Sequence, residues 1–321
     1  MIFEDLNAFI VVAKLRSFSA AAARLRVAQS SLSKRVQRLE HHFGVPLLKR
    51  HARGAILTES GAILLARAER LVEELKDVER DVRGVLQQAA GNVRMALPPA
   101  TSPVLAPLIF EQCRTRYPLI RLQLRESTSD TIHDWLSNDE IDLALLYNPE
   151  YGADFEIRPL IIEPLFVIAP ARDPATGLPA RYPDTYALRD LAHLPLILPR
   201  RPHSIRVLVE RLCAADGIHP NIQFESDSIR STKGIVEKGM GYTLFSRTWL
   251  EDDVRAGRLC AIPFSSALLN WKLCVAHARR KESSLAIASV RQVMEENVAR
   301  LFAEGFWHHA KWIGEPADKA R

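Results

Sequence analysis

Between residues 19 and 40, polar and apolar positions recur with the period of a helix and predict two short helices joined by a tight turn. The first helix is nearly all alanine, so a second helix can cross it closely. On the second helix, Leu32, Val36 and Leu39 fall on one face. The opposite face is polar and consists of Ser30, Ser33, Lys34 and Gln37, with Gln29 at the N-terminal tip. Such a helix suits a DNA major groove, although an ordinary amphipathic surface helix has the same pattern.

The flanking segments extend this pair into a winged helix-turn-helix pattern. An earlier helix is predicted from apolar residues three and four apart, namely Leu6, Phe9, Ile10 and Ala13. Gly44 is suited to end the polar helix. The sequence that follows, VPLLKRHARGAILTESG, predicts two extended segments that meet around Arg53 and Gly54. A hairpin with a basic tip is typical of a wing, and Arg53 there suits the minor groove or a backbone phosphate.

A long helix is predicted next, because apolar residues recur at alternating spacings of four and three. They are Leu64, Ala68, Leu71, Leu75, Val78, Val82, Val85 and Ala89. This stripe is too narrow for a globular core and predicts a coiled coil, hence a homodimer. Two recognition helices would then read a two-fold-related DNA site. The alternative is that the helix packs against its own domain.

From Gly91 onwards, the pattern changes to strands that alternate with helices. NVRMAL, RLQLRE and IDLALLY predict strands, with a helix between each strand and the next. This order favours a parallel sheet with crossover helices. A second set follows from PLFVIAP to GYTLFS, and then come a late strand, WKLCVAH, and a closing helix from 283 to 302. Two similar α/β lobes indicate a hinged pair with a ligand cleft between them.

The charge of the chain is concentrated beside the polar helix. Residues 1–60 carry ten Lys or Arg and four Asp or Glu, a net charge of +6, whereas the whole 321-residue chain carries +5. Basic side chains in this position would neutralise DNA phosphates. A solvated basic face is the alternative, but it does not predict this segregation.

The cysteines and the hydropathy indicate a cytoplasmic protein. Cys113, Cys213, Cys260 and Cys274 are widely spaced and form no CxxC pair, as expected for reduced core residues. Glu4 and Asp5 interrupt any export signal early, and no apolar run approaches the ~20 residues that a membrane helix needs. No association with a membrane is expected.

Residues 1–90 resemble the N-terminal part of the LysR-type transcriptional regulators. The matching stretches are SFSAAAARLRVAQSSLSKRVQRLE, FGVPLLKRHARGAILTESG and the long linker helix. The resemblance implies DNA contacts from Gln29, Ser30, Ser33, Lys34, Arg35 and Arg53. Two positions depart from the family pattern. Ala28 stands where the family commonly has a capping Ser or Thr, so that this cap is weaker or comes from another residue, and Ser30 stands where proline is frequent.

The resemblance covers roughly residues 1–302 and implies a C-terminal effector domain similar to periplasmic solute-binding proteins. The expected fold is α/β with an α-rich N-terminal part. We expect a winged helix-turn-helix domain in residues 1–61, a linker and dimerisation helix in 62–90, lobe I in 91–163 and 269–302, and lobe II in 164–268. The sequence gives no interpretation for the tail, 303–321.

Hydroxyl side chains stand where predicted strands run into predicted helices. Ligands of α/β sheets bind outside the carboxyl ends of the strands, where helix N-termini offer free N–H groups. By resemblance these loops line the inducer site, and the matching positions are Ser102, Ser129, Tyr147, Ser204 and Phe245, followed by Thr101 and His203. Hydroxyls at helix N-termini favour a small anion, such as a carboxylate, or a polar amide. The alternative is that each Ser or Thr merely caps its helix.

Together these patterns predict a sequence-specific transcriptional regulator that a small metabolite controls. A ligand-independent regulator and a cytoplasmic solute-binding protein are the alternatives. No enzyme is expected, because no G-x-S-x-G, H-E-x-x-H, P-loop or G-x-G-x-x-G motif occurs. Double-stranded DNA is the expected partner, homotetramer is the family expectation, and RNA polymerase is a further candidate. Beyond the inducer, no cofactor or metal is expected.

Overall fold

The computed structural model describes residues 2–51, 54–83, 89–149, 152–281 and 284–314. The backbone packs into two compact units, one in residues 1–87 and one in residues 88–321. Within the described residues, no helix combines the length and the apolar character that crossing a membrane requires.

The N-terminal unit packs its helices around one apolar core. Its elements are α1 (Ile2–Leu15), α2 (Phe18–Leu25), α3 (Gln29–Phe43), β1 (Leu48–His51), β2 (Gly54–Leu57) and α4 (Glu59–Arg83). Ser17 caps α2, because its Oγ accepts a hydrogen bond from the backbone N–H of Ala20 at 3.2 Å. Gly44 ends α3 with a φ of 69°, in the left-handed region that glycine adopts readily. The start of α2 and the end of α3 therefore have identifiable caps.

Two glycines let the wing pack closely against the rest of this unit. β1 and β2 pair antiparallel, with Leu48 opposite Leu57 and His51 opposite Gly54. Gly54 has a φ of 140°, and a Cβ atom there would lie 2.2 Å from the carbonyl oxygen of Arg16. A Cβ atom on Gly61 would lie 2.0 Å from the carbonyl oxygen of Leu47. The hairpin is thus fixed to the loop between α1 and α2 and to the start of α4.

The C-terminal unit is an α/β fold. Its elements are β3 (Gly91–Leu97), α5 (Ser102–Arg116), β4 (Ile120–Glu126), α6 (Ser129–Ser137), β5 (Leu143–Tyr147), β6 (Phe155–Pro170), β7 (Leu196–Leu198), α7 (Ser204–Ala215), β8 (Ile222–Glu225), α8 (Ile229–Glu237), β9 (Thr243–Ser246), α9 (Glu251–Arg255), β10 (Leu259–Pro263), β11 (Asn270–Ala278), α10 (Leu285–Ala303) and β12 (Lys311–Trp312).

The main sheet is mixed, and its strand order is β10-β6-β11-β5-β3-β4. β3 pairs in parallel with β4 and with β5, as the alternation of strands and helices predicts. The later strands differ, because β6 and β11 pair antiparallel with each other, and β11 also pairs antiparallel with β5. The reason is that β11 comes from the far end of the chain and enters the sheet between β5 and β6.

The long strand β6 belongs to both lobes. Its first part, through Pro164, pairs with β11, whereas its second part, from Leu165, pairs with β9 and β10. The chain returns between β10 and β11, across residues 264–269. The boundaries expected near 163 and 268 lie next to these two positions. We keep the names lobe I for the elements around β3, β4, β5 and β11, and lobe II for those around β7, β8, β9 and β10.

The described part of the tail packs on the sheet. β12 pairs antiparallel with β6, with Lys311 opposite Ile162 and Trp312 opposite Ile161. Trp307 is buried, and its ring lies edge-on to that of Trp249, with 5.9 Å between centroids. Residues 303–314, which have no interpretation from the sequence, therefore pack on the C-terminal unit, with Trp307 in its core. Residues 315–321 lie outside the described residues.

Candidate functional site

Helix α3 has the two faces that the sequence predicts. Leu32, Val36 and Leu39 are buried in the core of the N-terminal unit. Gln29, Ser30, Lys34 and Gln37 are exposed, and Ser33 is half-buried. The apolar face is therefore confirmed, whereas the roles of these polar side chains in DNA contact stay predictions.

The N-terminus of α3 lacks a side-chain cap of the usual kind. Ala28 occupies the capping position and makes no side-chain hydrogen bond. Instead, Ser19 Oγ donates to Gln29 Oε1 at 3.2 Å, which ties α2 to the tip of α3. A helix N-terminus without a carboxylate or hydroxyl cap presents its N–H groups and positive dipole end, which suits a DNA phosphate.

The cations of α3 differ in their partners. Arg38 donates two hydrogen bonds to the buried Asp5 carboxylate, at 3.0 and 2.5 Å, and this pairing raises the pKa of Arg38. Arg35 lies 3.5 Å from Glu4. Among the described residues, none forms an ion pair with Lys34, whose side chain is exposed. The contact of Lys34 with a DNA phosphate stays a prediction.

A hydrogen-bonded carboxylate joins the wing to α3. Glu40 Oε1 accepts hydrogen bonds from the backbone N–H groups of Leu47 and Leu48, at 2.8 and 3.1 Å. The start of β1 is thereby held against the helix that carries the polar face. The predicted tip residue, Arg53, lies outside the described residues, and its contact with DNA stays a prediction.

The apolar stripe of α4 divides between two environments. Ala68 is fully buried in the core of its own unit, and Leu64 packs against that core. The prediction of a continuous coiled-coil seam is wrong for Ala68, because the turn of the helix directs this side chain onto α1. Leu71 and Leu75 are exposed, by 56% and 39%. The side chains of Val78 and Val82 and all of Val85 lie outside the described part of the chain.

A cavity of about 750 Å³ opens between the two lobes of the C-terminal unit. Three of the predicted ligand-site residues line it: Ser129, Tyr147 and Ser204. The other lining residues are Asp130, His133, Asp134, Asn148, Pro149, Ile162, Pro202, Val207, Leu208, Arg211, Leu268, Asn270 and Lys272. Lobe I contributes α6 and the end of β5, and lobe II contributes α7.

Four predicted ligand-site residues do not line this cavity. Thr101 is fully buried and donates its hydroxyl proton to the Pro98 carbonyl oxygen at 3.1 Å, and Ser102 is buried beside it in α5. His203 Nδ1 accepts a hydrogen bond from the backbone N–H of Ile205 at 3.2 Å. His203 thereby caps α7, a role that the sequence analysis considered only for Ser and Thr. Phe245 is buried in β9.

Tyr147, which lines the cavity, belongs to a buried aromatic stack. The rings of Tyr147 and Trp271 are parallel within 11°, with centroids 3.6 Å apart. Trp271 Nε1 donates to Ser204 Oγ at 3.1 Å, and Phe245 packs edge-on against the indole at 5.4 Å. Ser129 Oγ accepts a hydrogen bond from the backbone N–H of Tyr147 at 2.8 Å. Four of the predicted site residues, Ser129, Tyr147, Ser204 and Phe245, therefore belong to this stack or contact it.

A buried carboxyl group contacts Tyr147 of this stack, and the sequence interpretation missed it. Glu163 in β6 is fully buried and accepts hydrogen bonds from Tyr147 OH at 2.8 Å and from Ser246 Oγ. Trp249 Nε1 donates to Tyr147 OH at 3.1 Å. Burial raises the pKa of Glu163 against the opposing effect of the hydrogen bonds from Ser246 and Tyr147. The only signal in the sequence was one acidic residue in the apolar run of β6.

Burial also controls the protonation of His203 and of the thiols. It lowers the pKa of His203, so that the imidazole is neutral, while the charges of Asp130 and Asp227 oppose the shift. It raises the pKa of the Cys274 thiol to about 12 and that of Cys113 to about 11. These cysteines are free and protonated at neutral pH, as the reduced core residues that their spacing predicts.

Charged residues of both signs line the cavity, and the sequence interpretation missed them too. Asp130 and Asp134 lie one turn apart on α6, Arg211 lies on α7, and Lys272 lies near the start of β11. Their spacing resembles that of any solvated helix face. In the described part of the chain, no cluster of three His, Cys, Asp or Glu side chains could hold a metal ion.

The sequence matches two family descriptions that follow one another along the chain. Residues 3–62 match "Bacterial regulatory helix-turn-helix protein, lysR family". Residues 86–299 match "LysR substrate binding domain". The chain is 30% identical over 313 residues to the HTH-type transcriptional regulator BbuR of Bordetella bronchiseptica, covering 97% of this chain and 93% of that protein. It is 27% identical over 302 residues to CfxR of Cupriavidus necator, covering 94% and 93%.

Solved structures of the same fold cover almost the whole chain. A full-length OxyR variant from Pseudomonas aeruginosa has a TM-score of 0.66 at 22% identity, covering 98% of this chain and 99% of that chain. An OxyR variant from Corynebacterium glutamicum has a TM-score of 0.60 at 21% identity, covering 94% and 93%. At these identities the likeness concerns the fold alone.

A winged helix-turn-helix joined to a two-lobed α/β unit defines a DNA-binding regulator with an effector-binding domain. The two family descriptions match residues 3–62 and 86–299, and the similarity to BbuR extends over both parts. The chain belongs to the LysR family of transcriptional regulators. The fold class and the regulatory function that the sequence predicts are thereby confirmed.

Proposed function

We propose that this regulator responds to a small polar molecule that binds between lobes I and II. The observation that carries the proposal is the cavity of about 750 Å³ between α6 and α7, a size that suits a small ligand. Both lobes share β6, so a ligand that contacts α6 and α7 together can bias how the lobes are arranged. Such a ligand shifts the equilibrium only by its difference in affinity for two arrangements.

The DNA-contacting surface in this proposal combines the polar face of α3 with the wing. Lys34 and Arg53 contact phosphates, and Gln29 reads base edges. The exposure of Lys34 and Gln29 supports these roles, as does the hydrogen-bonded link from Glu40 to β1. Ser30, Ser33 and Arg35 complete the predicted contact set.

The proposed working form is a homodimer that associates through α4. The support is the exposure of Leu71 and Leu75, two large apolar side chains one turn apart on a 25-residue helix. Assembly into a tetramer and contact with RNA polymerase extend the proposal. We further propose that the protein acts in the cytoplasm and catalyses no reaction.

Footprinting on the intergenic DNA beside the gene tests the proposal. We expect a protected two-fold-related site whose length changes with one compound from a panel of small metabolites. Val207→Trp, which fills the cavity from α7, should abolish that change without loss of protection. Leu178→Trp is the control, because Leu178 is exposed and lies outside the cavity.

Two other outcomes would contradict parts of the proposal. Protection that no compound alters favours the ligand-independent regulator, for which the internal hydrogen bonds of Ser129 and Ser204 are a specific argument. No protection at low salt would contradict the proposed DNA-binding surface.

A further inference from the structure

The charges of the cavity walls restrict the chemistry of its ligand. Asp130 and Asp134 lie on the α6 wall, whereas Arg211 lies on α7 of lobe II, with Lys272 on β11. Within the described residues, neither Asp130 nor Asp134 forms an ion pair, and neither does Arg211. Two negative and two positive side chains thus line the cavity.

One atom of the acidic wall lacks a partner. Asp130 Oδ1 is buried from solvent and accepts no hydrogen bond from a described residue. From the residues that the structure describes, the other oxygen, Oδ2, accepts only a long hydrogen bond, which Thr131 Oγ1 donates at 3.5 Å. A buried carboxylate oxygen without a donor is costly, and a donor brought by a ligand removes that cost.

Simple ions satisfy only part of this arrangement. A plain carboxylate can pair with Arg211 but adds a like charge beside Asp130 and Asp134. A plain amine can pair with those carboxylates but leaves Arg211 unmatched. Charged groups that leave water must find an opposite charge or a hydrogen-bond partner, so neither ion is complementary to both walls.

We propose that the effector is a dipolar molecule, an amino acid or a similar aminocarboxylic acid, with its ammonium group at Asp130 and Asp134 and its carboxylate at Arg211 and Lys272. This inference rests on the proposed function, because it names the ligand of the same cavity. Val207 and Leu208, between Ser204 and Arg211 on α7, supply an apolar wall for the carbon skeleton. The carboxylate of this ligand agrees with the small anion that the sequence predicts. The ammonium group is inferred from the two carboxylates of the cavity wall, Asp130 and Asp134.

The test is calorimetry on the full-length protein with three matched groups of probes. The first group contains the twenty amino acids, β-alanine and 4-aminobutyrate. For each member that binds, the second group contains the carboxylic acid without the amino group, and the third contains the amine without the carboxylate. We expect at least one dipolar probe to bind, and both of its single-charge analogues to bind at least ~10-fold more weakly.

Two variants assign the two charges. Asp134→Asn should weaken the binding of the dipolar probe and of the matched amine, whereas the affinity for the matched carboxylate should stay the same or increase. Arg211→Gln should weaken the binding of the dipolar probe and of the matched carboxylate but not that of the matched amine. Asp216→Asn and Arg230→Gln are the controls, because both residues are exposed and neither lines the cavity.

Three results would overturn the inference. They are no binding by any dipolar probe, equal or tighter binding by a monocarboxylate, and an unchanged affinity of the dipolar probe in Asp134→Asn. Footprinting of the same samples separates this failure from that of the proposed function. If a monocarboxylate changes the footprint, the regulator is ligand-controlled and only the dipolar class is wrong, whereas a footprint that no compound changes contradicts both.

Discussion

Tyr147 and Trp271 stack face to face across neighbouring strands, β5 and β11, with 3.6 Å between their ring centroids. Each ring also reaches lobe II. Tyr147 OH accepts a hydrogen bond from Trp249, and Trp271 Nε1 donates to Ser204 at the start of α7. One aromatic pair therefore contributes to the joint between the lobes, and its Tyr147 lines the cavity.

Removal of the indole ring should destabilise the C-terminal unit. We expect Trp271→Ala to lower its free energy of unfolding by ~3–5 kcal/mol, because a large buried ring is replaced by a cavity. Trp271→Phe keeps a ring but loses the hydrogen bond to Ser204, and should cost less. All five tryptophans lie beyond residue 88, so urea unfolding followed by tryptophan fluorescence reports this unit alone. A loss below ~1 kcal/mol for Trp271→Ala would contradict the role of the stack.

Glu163 should give the C-terminal unit a pH dependence of a definite sign. Its pKa is raised on folding, chiefly by burial, so the folded state binds the proton more strongly than the unfolded state. We therefore compare the free energy of unfolding of the parent protein with that of Glu163→Gln. The parent's value minus the variant's should fall as pH rises from the ordinary pKa of 4.5 to the higher pKa of the folded state, by at most ~1.4 kcal/mol per pH unit. Urea titrations of both proteins between pH 4 and about pH 8 measure this difference.

Glu296 provides a control of opposite sign. Burial alone would raise the pKa of Glu296, but hydrogen bonds from Arg116 and Gln292 outweigh it, and the net shift is downward. The free energy of unfolding of the parent, minus that of Glu296→Gln, should therefore fall as pH drops from the ordinary pKa of Glu296 towards its lower pKa in the folded state. If the difference between the parent and Glu163→Gln instead rises with pH, as expected for Glu296, then folding favours the ionised form of Glu163 and the prediction is wrong.

The wing should not tolerate a side chain at Gly54. A Cβ atom there would meet the Arg16 carbonyl oxygen, so we expect Gly54→Ala to cost a few kcal/mol (~2–4) and to weaken DNA binding at least ~10-fold. Gly44→Ala is the control, because Gly44 also has a positive φ but has open space around a Cβ atom, and should cost only ~1 kcal/mol. Gel-shift titration and thermal melting of both variants provide the comparison, and equal effects would exclude the close approach as the cause.

A charge on the exposed stripe of α4 should separate the dimer. Leu71→Asp places a carboxylate in the proposed interface, and we expect sedimentation of a species with half the parent mass. Ala66→Asp is the control, since Ala66 is exposed on another face of the same helix. A Leu71→Asp variant that sediments like the parent would exclude association through this stripe.

Lys34 should contribute one phosphate contact. Lys34→Gln should weaken binding to all DNA sequences and reduce the slope of log affinity against log salt by ~0.9. Lys14→Gln is the control, because Lys14 is already paired with Glu69 at 2.8 Å, and its slope should be unchanged. Fluorescence anisotropy at four salt concentrations measures both slopes, and an unchanged slope for Lys34→Gln would mean that Lys34 does not contact phosphate.

The N-terminal helices and the strand–helix alternation were predictable because their patterns are local. Leu32, Val36 and Leu39 lie within eight residues, and their spacing alone defines the buried face of α3. Ala68 shows the limit of such patterns. A spacing of four and three fits both a coiled-coil seam and a helix that packs on its own domain, and only the position of α1 decides between them.

The cavity was predictable in its place but not in its chemistry. Strand ends, helix starts and the family resemblance indicated Ser129, Tyr147 and Ser204, which line it, but also four residues that do not. Glu163 could not be assigned, because its burial depends on Ser246 and Trp249, which approach it only when β9 pairs with β6. Asp134 and Arg211 could not be assigned either, because lobe II must fold back before α6 and α7 face each other.

The pairing of β6 also bears on how the protein is made. Residues 165–263, which contain β7 to β10, leave the ribosome as one continuous stretch. The sheet of lobe I, in contrast, has a gap between β5 and β6 until β11 has been synthesised, and β12 joins β6 later still. The lobe that is first in sequence is thus the last to be completed, and a nascent chain exposes the β5 edge throughout the translation of lobe II.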